Sequence, residues 1–149
     1  MKKLLSTALF LFFSTIACTS LAEANKPVTV EDAWVRATAP GQKVGAAYMT
    51  LTHNENISLV AAEANVAGNV EIHSMEMKNN IMKMRMLDEL TIEAGKPTKL
   101  APSGMHLMLL DLKKPLKVGE KVELTLCFKD KNGDITHQTF SAPIKESAR

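Results

Sequence analysis

Cysteine is scarce in this 149-residue chain, which holds only Cys18 and Cys127. Cys18 falls within an N-terminal export signal, so the mature chain is expected to keep one thiol, to have no internal disulfide and to be held together by its core. An excess of charge of one sign is missing as well. The 18 Lys and Arg face 16 acids, and Lys2 and Lys3 leave with the signal, so the mature balance is 16 against 16. Nothing there resembles the basic footprint of a nucleic-acid binder, and no basic amphipathic stretch suggests attachment to a membrane surface. The apolar run at residues 4–17 falls short of the roughly 20 residues that a membrane span needs. No repeat, low-complexity segment or linker divides the chain.

That apolar run has the pattern of a secretion signal. Lys2 and Lys3 precede it, and Ser20-Leu21-Ala22 sets small residues at the two positions a signal peptidase reads. Residues 1–22 are therefore expected to be cleaved, leaving 23–149 as one domain with room for a real core. Ala22-Glu23-Ala24 would support cleavage two residues later. Cys18 raises a lipid-anchored alternative, but Thr15 is a poor match for the aliphatic residue wanted three positions before such a cysteine. Soluble export to the periplasm, without membrane insertion after cleavage, is the expectation.

Along the mature chain the hydrophobic period is two, and no helical period is sustained. Val122, Leu124, Leu126 and Phe128 alternate with Glu123, Thr125 and Cys127, as in a strand with one face in a core. Asn132-Gly133 predicts a type I′ hairpin turn between that strand and residues 135–140. Asn79-Asn80 is a weaker signal of the same kind between residues 70–77 and 81–86. Further strands are expected at 33–37, 46–53, 59–62, 90–92, 98–100 and 106–110. Turn residues punctuate them, and many short strands at such spacing predict an all-β, antiparallel sandwich or barrel.

The strand reading gives meaning to His73, Met84, His106 and Met108. Two imidazoles and two thioethers make a soft, electrically neutral donor set, and thioether sulfur favours Cu(I) over hard cations. His106 and Met108 flank Leu107, so both leave one face of a strand. Met82, Met84 and Met86 share a face, as do His73, Met75 and Met77, and a hairpin through Asn79-Asn80 brings His73 towards Met84. Sequence leaves that register open, since a one-residue slip moves the whole set. Methionine is also a common core filler. Met75, Met77, Met82, Met86 and Met105 are accordingly expected as packing or as a soft rim, and His53 and His137, in polar surroundings, as solvated surface residues.

The spacing of His73, ten residues, Met84, twenty-one residues, His106, one residue, Met108 resembles without a gap the signature of the PCu(A)C family of periplasmic copper chaperones. Nearby segments are similar to that family too: Ala33-Trp34-Val35-Arg36, Gly45-Ala46-Ala47-Tyr48-Met49, Gly104-Met105-His106-Leu107-Met108-Leu109, and Pro115-Leu116 followed by Gly119-Glu120. The resemblance covers about residues 26–142. It implies a cupredoxin-like β-sandwich that binds one Cu(I) per chain through His73, Met84, His106 and Met108. It also implies delivery of that copper to cytochrome c oxidase, at the dinuclear centre of subunit II, alongside thiol-bearing assembly proteins of the Sco type. Several relatives carry a tail rich in His and Met, whereas residues 144–149 contain neither, so a second, Cu(II)-type site is not expected.

A carrier is expected and an enzyme is not, because four Cu(I)-preferring ligands come with no evident acid, base or nucleophile. Copper tolerance or storage is an alternative to oxidase assembly. A blue-copper electron carrier is a rival from another class, but it requires a cysteine thiolate on the metal. Cys127 is the sole candidate, and its alternation turns it away from the face of Leu124 and Leu126. Zinc competes weakly, since its sites favour Cys, His and carboxylate. A structural or adhesion sandwich, with these His and Met as packing, is the third reading.

Overall fold

The computed structural model describes residues 26–146; the expected signal segment at 1–22, Cys18 included, lies outside them. The strands are β1 (Thr29–Arg36), β2 (Gly45–Thr52), β3 (Ile57–Ala64), β4 (Asn69–Lys78), β5 (Ile81–Leu87), β6 (Leu90–Ile92), β7 (Thr98–Leu100), β8 (His106–Leu110), β9 (Lys121–Lys129) and β10 (Ile135–Lys145). Each expected strand is present, and no helix occurs among the described residues.

Hydrogen-bonded neighbours run β5-β4-β8-β2-β1-β10-β9-β3-β6, with β7 beside β2. The path folds over at β10, whose length pairs antiparallel with β9 while its end, at Ile144 and Lys145, pairs parallel with β1. This single parallel contact joins the two layers of the sandwich and makes the sheet mixed where a purely antiparallel one was expected. Alternation supplies the core: Val35, Ala47, Leu51, Leu107 and Leu109 from one layer meet Leu59, Leu124, Leu126 and Phe128 from the other, all essentially dry. Full burial of such side chains contributes roughly 1.5–3 kcal/mol each, which replaces what a disulfide would supply.

Two bulges correct the phase of the alternation. On β3 one extra residue between Leu59 and Ala61 lets Ile57 and Leu59, then Ala62 and Ala64, all face inward. On β1 the pairing shifts between Glu31 and Trp34, where Asp32 takes φ 51°. That shift turns Val35 into the core and sets Trp34 opposite Tyr48 on the outer face.

The two hairpin turns differ from each other. Asn79 and Asn80 both have positive φ, 53° and 59°, so β4 and β5 join through a two-residue turn of the type I′ class. The turn at Asn132-Gly133 is not of that type. Its loop begins at Asp130, whose carboxylate accepts from the amides of Asn132 and Asp134, and only Gly133 is left-handed. The amide of Gly133 donates to the Asp130 carbonyl, so this is a longer loop closed by an Asx-type turn.

The β4–β5 turn is testable by conformational preference alone. Replacing Asn80 with Gly is expected to keep or raise stability, whereas Asn80→Val should lower it by about 1–2 kcal/mol, the cost of forcing a branched residue left-handed. Urea denaturation of the two variants checks the order, and equal midpoints would contradict the turn geometry.

Candidate metal centre

The pairing of β4 with β8 places His73 directly opposite His106. Between them on the inner face lie Ile72 and Leu107, both buried, so the histidines point away from the core on the outer face of the layer. Their ring centroids are 5.8 Å apart. Met108 follows His106 on that face, opposite Glu71.

Hydrogen bonds fix which nitrogen of each ring is available. His106 Nδ1 lies 3.0 Å from the Gly104 carbonyl, which only accepts, so Nδ1 carries the proton and Nε2 the lone pair. His73 is the reverse. Its Nε2 lies 2.8 Å from the Glu71 carboxylate, and its Nδ1 is buried with no hydrogen-bond partner. Both supporting groups sit two residues before their histidine, and on β4 that spacing puts Glu71 and His73 on one face.

A recess of about 330 Å³ opens beside the histidines, lined by Met75, Met84, His106 and Met108 together with Arg36 and Tyr48. Trp34 stacks on Tyr48 at 4.5 Å between centroids, and the Arg36 guanidinium sits 5.2 Å from the Tyr48 ring centre. Burial pushes the Tyr48 phenol above its usual range, and Arg36 draws it part of the way back, so it is uncharged at neutral pH. This aromatic wall, with Glu71 and Gly104, was not singled out as part of the site from sequence; Glu71 was legible from its same-face spacing to His73.

Of the four expected ligands, His73, His106 and Met108 meet on β4 and β8, and Met84 lines the same recess from β5. The β4–β5 register, which the sequence leaves open, sets Met86 opposite His73 and Met84 opposite Met75. Met84 is thus a diagonal neighbour of His73, within reach of a long side chain. Of the two expectations for Met77, Met82 and Met86, packing fails and a soft rim remains, because all three are exposed, as is Met84. Met105 does pack against the core.

The remaining candidates lie elsewhere. His53 is buried and not solvated: its Nε2 donates to the Lys26 carbonyl at 2.9 Å and its Nδ1 accepts from the Glu55 amide. His137 is exposed, as expected, with Nδ1 3.1 Å from Cys127 Sγ. Cys127 is buried on β9 in the opposite layer, and burial, then the Glu63 carboxylate, push its thiol above the usual range. Among the described residues no group of three His, Cys, Asp or Glu is placed to hold an ion, and the soft donors that line the recess beside His106 are Met75, Met84 and Met108.

Opposite tautomers are therefore expected for the two site histidines in the metal-free protein at alkaline pH. A long-range proton–nitrogen NMR correlation should show the proton on Nδ1 of His106 and on Nε2 of His73; the same tautomer at both would contradict the geometry.

The family described as “Putative lipoprotein LpqE-like” matches residues 28–144. The chain is similar to “Putative lipoprotein Lxx21020” of Leifsonia xyli subsp. xyli (strain CTCB07), 34% identical over 104 residues, which are 69% of this chain and 63% of that protein. The chain thus spans under two thirds of that relative's length. Among solved structures it is similar to “CuI-DR1885 from Deinococcus Radiodurans”, with 37% identity, TM-score 0.61, and 87% of this chain and 86% of that one covered. It is also similar to the “Apo PCuAC domain from PmoF1”, with 28% identity, TM-score 0.65, and 83% and 98% covered. With its profile matched over almost the whole sandwich and its fold shared with these domains, the chain belongs to the LpqE-like family and is of the PCu(A)C type.

Proposed function

We propose that the protein is an exported Cu(I) carrier that holds one ion between His73, His106, Met84 and Met108 and passes it on by ligand exchange. The observation that carries this reading is the buried, unpartnered Nδ1 of His73 beside His106. An unpaired buried polar atom costs about 1–3 kcal/mol, and a soft ion shared with His106 Nε2 would offset that cost. The donors suit Cu(I) as cargo: the His106 nitrogen shares its recess with the thioethers of Met84 and Met108, and the His73 ring lies beside it. The copper(I) form of a similar protein supports the same reading.

The supporting groups have defined roles in holding the ion. Glu71 orients the His73 ring, and the Gly104 carbonyl does the same for His106. Because all four donors are neutral, binding releases no proton from a thiol, and thioethers hold less tightly than thiolates would. Met84 stands 48% exposed on the hairpin, whereas Met108 is half-buried between strands. Met84 is therefore the ligand released first to an incoming donor. Cys127 lies in the other layer, away from the histidine pair, which argues against a blue-copper electron carrier.

The delivery target in this reading is the copper centre of cytochrome c oxidase subunit II, with a Sco-type thiol protein as companion. Copper tolerance or storage would use the same ion and differ in the recipient. Periplasmic export follows from the signal pattern at residues 1–22, and the lipoprotein names in the family and in the Leifsonia relative support export of this chain. Those names also give weight to the Cys18 anchoring route beside simple cleavage after Ala22.

Met108→Leu preserves volume and should weaken Cu(I) binding by about tenfold or more, a loss of some 1.4 kcal/mol. An anaerobic competition titration measures it, and unchanged affinity removes Met108 from the site. Glu71→Gln should lower the affinity by about 10- to 100-fold through the His73 ring without removing a ligand. X-ray absorption on the copper-loaded Glu71→Gln protein should still count nitrogen and sulfur as in the parent; a changed count would make Glu71 a ligand itself.

A further inference from the structure

The β4–β5 hairpin continues beyond the histidine pair as a ladder of thioethers. His73 pairs with Met86, Met75 with Met84, and Met77 with Met82, so five methionines and His73 share one face out to the turn. The other face is mostly polar: Ser74 pairs with Arg85 and Glu76 with Lys83, and Lys78 pairs with Ile81 at the turn. Met77 is 65% exposed and Met82 42%. Core filling does not explain them, because they fill no core.

Their chemistry is uniform where packing would be mixed. A face built to bury against a protein is served equally by Leu, Val or Phe, which this chain uses throughout its own core. Here every residue between His73 and the turn on that face carries sulfur. Directly paired residues have Cβ atoms about 4.5–5.5 Å apart and diagonal ones about 7–8 Å. Methionine has three rotatable bonds, so the sulfurs of Met77, Met82 and Met75 can converge on one small ion. Met84 is the residue both groups reach, since it pairs with Met75 and lines the recess of His106.

We propose that Met75, Met77 and Met82 form a second, all-thioether site for a soft monovalent ion, Cu(I) or Ag(I), which takes up the ion at the hairpin end and hands it inward through Met84. The inward transfer rests on the copper reading of the histidine site; the outer site itself does not. Each step exchanges one sulfur–metal bond for another, and then for a bond to nitrogen. The ion keeps its single charge, no electron moves and no proton leaves. Exchange runs inward because the imidazole nitrogens, one backed by the Glu71 carboxylate, are stronger donors than thioethers. The exposure of the outer methionines is then useful: an ion arrives where a donor protein can reach it, and ends beside His73 and His106, which are far less exposed.

Ag(I) titration of protein labelled with carbon-13 at the methionine methyls separates the sites. The first equivalent should shift Met108 and Met84, and the second should shift Met75, Met77 and Met82. In the double variant Met77→Leu, Met82→Leu, which alters only exposed side chains, saturable binding of the second equivalent should be lost while the first is retained. Methyl signals of Met75, Met77 and Met82 that stay unmoved beyond one equivalent would overturn the proposal. So would shifts that follow protein concentration without metal, which would make this face a contact between copies of the chain. Hairpin shifts without any at Met108 would keep the outer site and refute the inner one, so the two readings fail separately.

Discussion

The pairing register of β4 with β8 is the constraint on which the site depends. One residue of slip would point His73 into the core and bring Ile72 out into solvent. The core forbids that slip, since Ile72, Leu107 and Leu109 on these two strands are buried and Leu107 and Leu109 are wholly dry. The same hydrophobic burial that closes the sandwich therefore aligns the two imidazoles at 5.8 Å. No polar contact between the histidines is needed to hold them there. A donor pair placed by the core keeps its geometry whether or not an ion is bound, which is what a carrier that alternates between loaded and empty states requires.

Register sets the rings, and short-range hydrogen bonds set the nitrogens. Gly104 and Glu71 are each two residues from the histidine they orient, so neither depends on a distant part of the fold. The partner differs in kind: a neutral carbonyl for His106 and a carboxylate for His73. The result is one ring presenting Nε2 and the other Nδ1, an asymmetry that a simple two-histidine motif does not reveal. The tilted wall of Trp34 and Tyr48 then limits water on one side of His106, and it owes its position to the bulge at Asp32 that turned Trp34 outward.

Much of this was legible in the sequence because alternation is a strong signal when one face is apolar. β9 and β8 announce themselves most plainly in that way, and His106-Leu107-Met108 declares a same-face pair without any tertiary information. The β4–β5 register was less legible, since a thioether at every second position looks the same after a slip of two. A two-residue turn at Asn79-Asn80 determines it, by fixing Lys78 opposite Ile81. The turn at Asn132-Gly133 was misread because Asp130 captures two amides and lengthens the loop. His53 looked solvated beside Asn54, Glu55 and Asn56; it is buried, and its Nε2 donates to the carbonyl of Lys26, 27 positions away, to which no local pattern points.

The methionines show most clearly where sequence reading stops. Met49, Met105 and Met77 all sit in strand-like or apolar text, yet the first is core, the second packs against it and the third faces water. What separates them is the number of layers overhead. Near its tip the β4–β5 hairpin pairs only with itself: β8 accompanies β4 from Asn69 to His73 and goes no further. From Glu76 outward there is a ladder but no sandwich, so both faces of the hairpin are open and the polar residues can satisfy only one of them. A thioether is the long apolar side chain that can also act as a soft ligand there. The overhang is thus the part of the molecule where stability asks least of the side chains and exchange asks most. The histidine pair lies where the overhang begins, between a rigid core that sets its geometry and an open hairpin through which a ligand can leave.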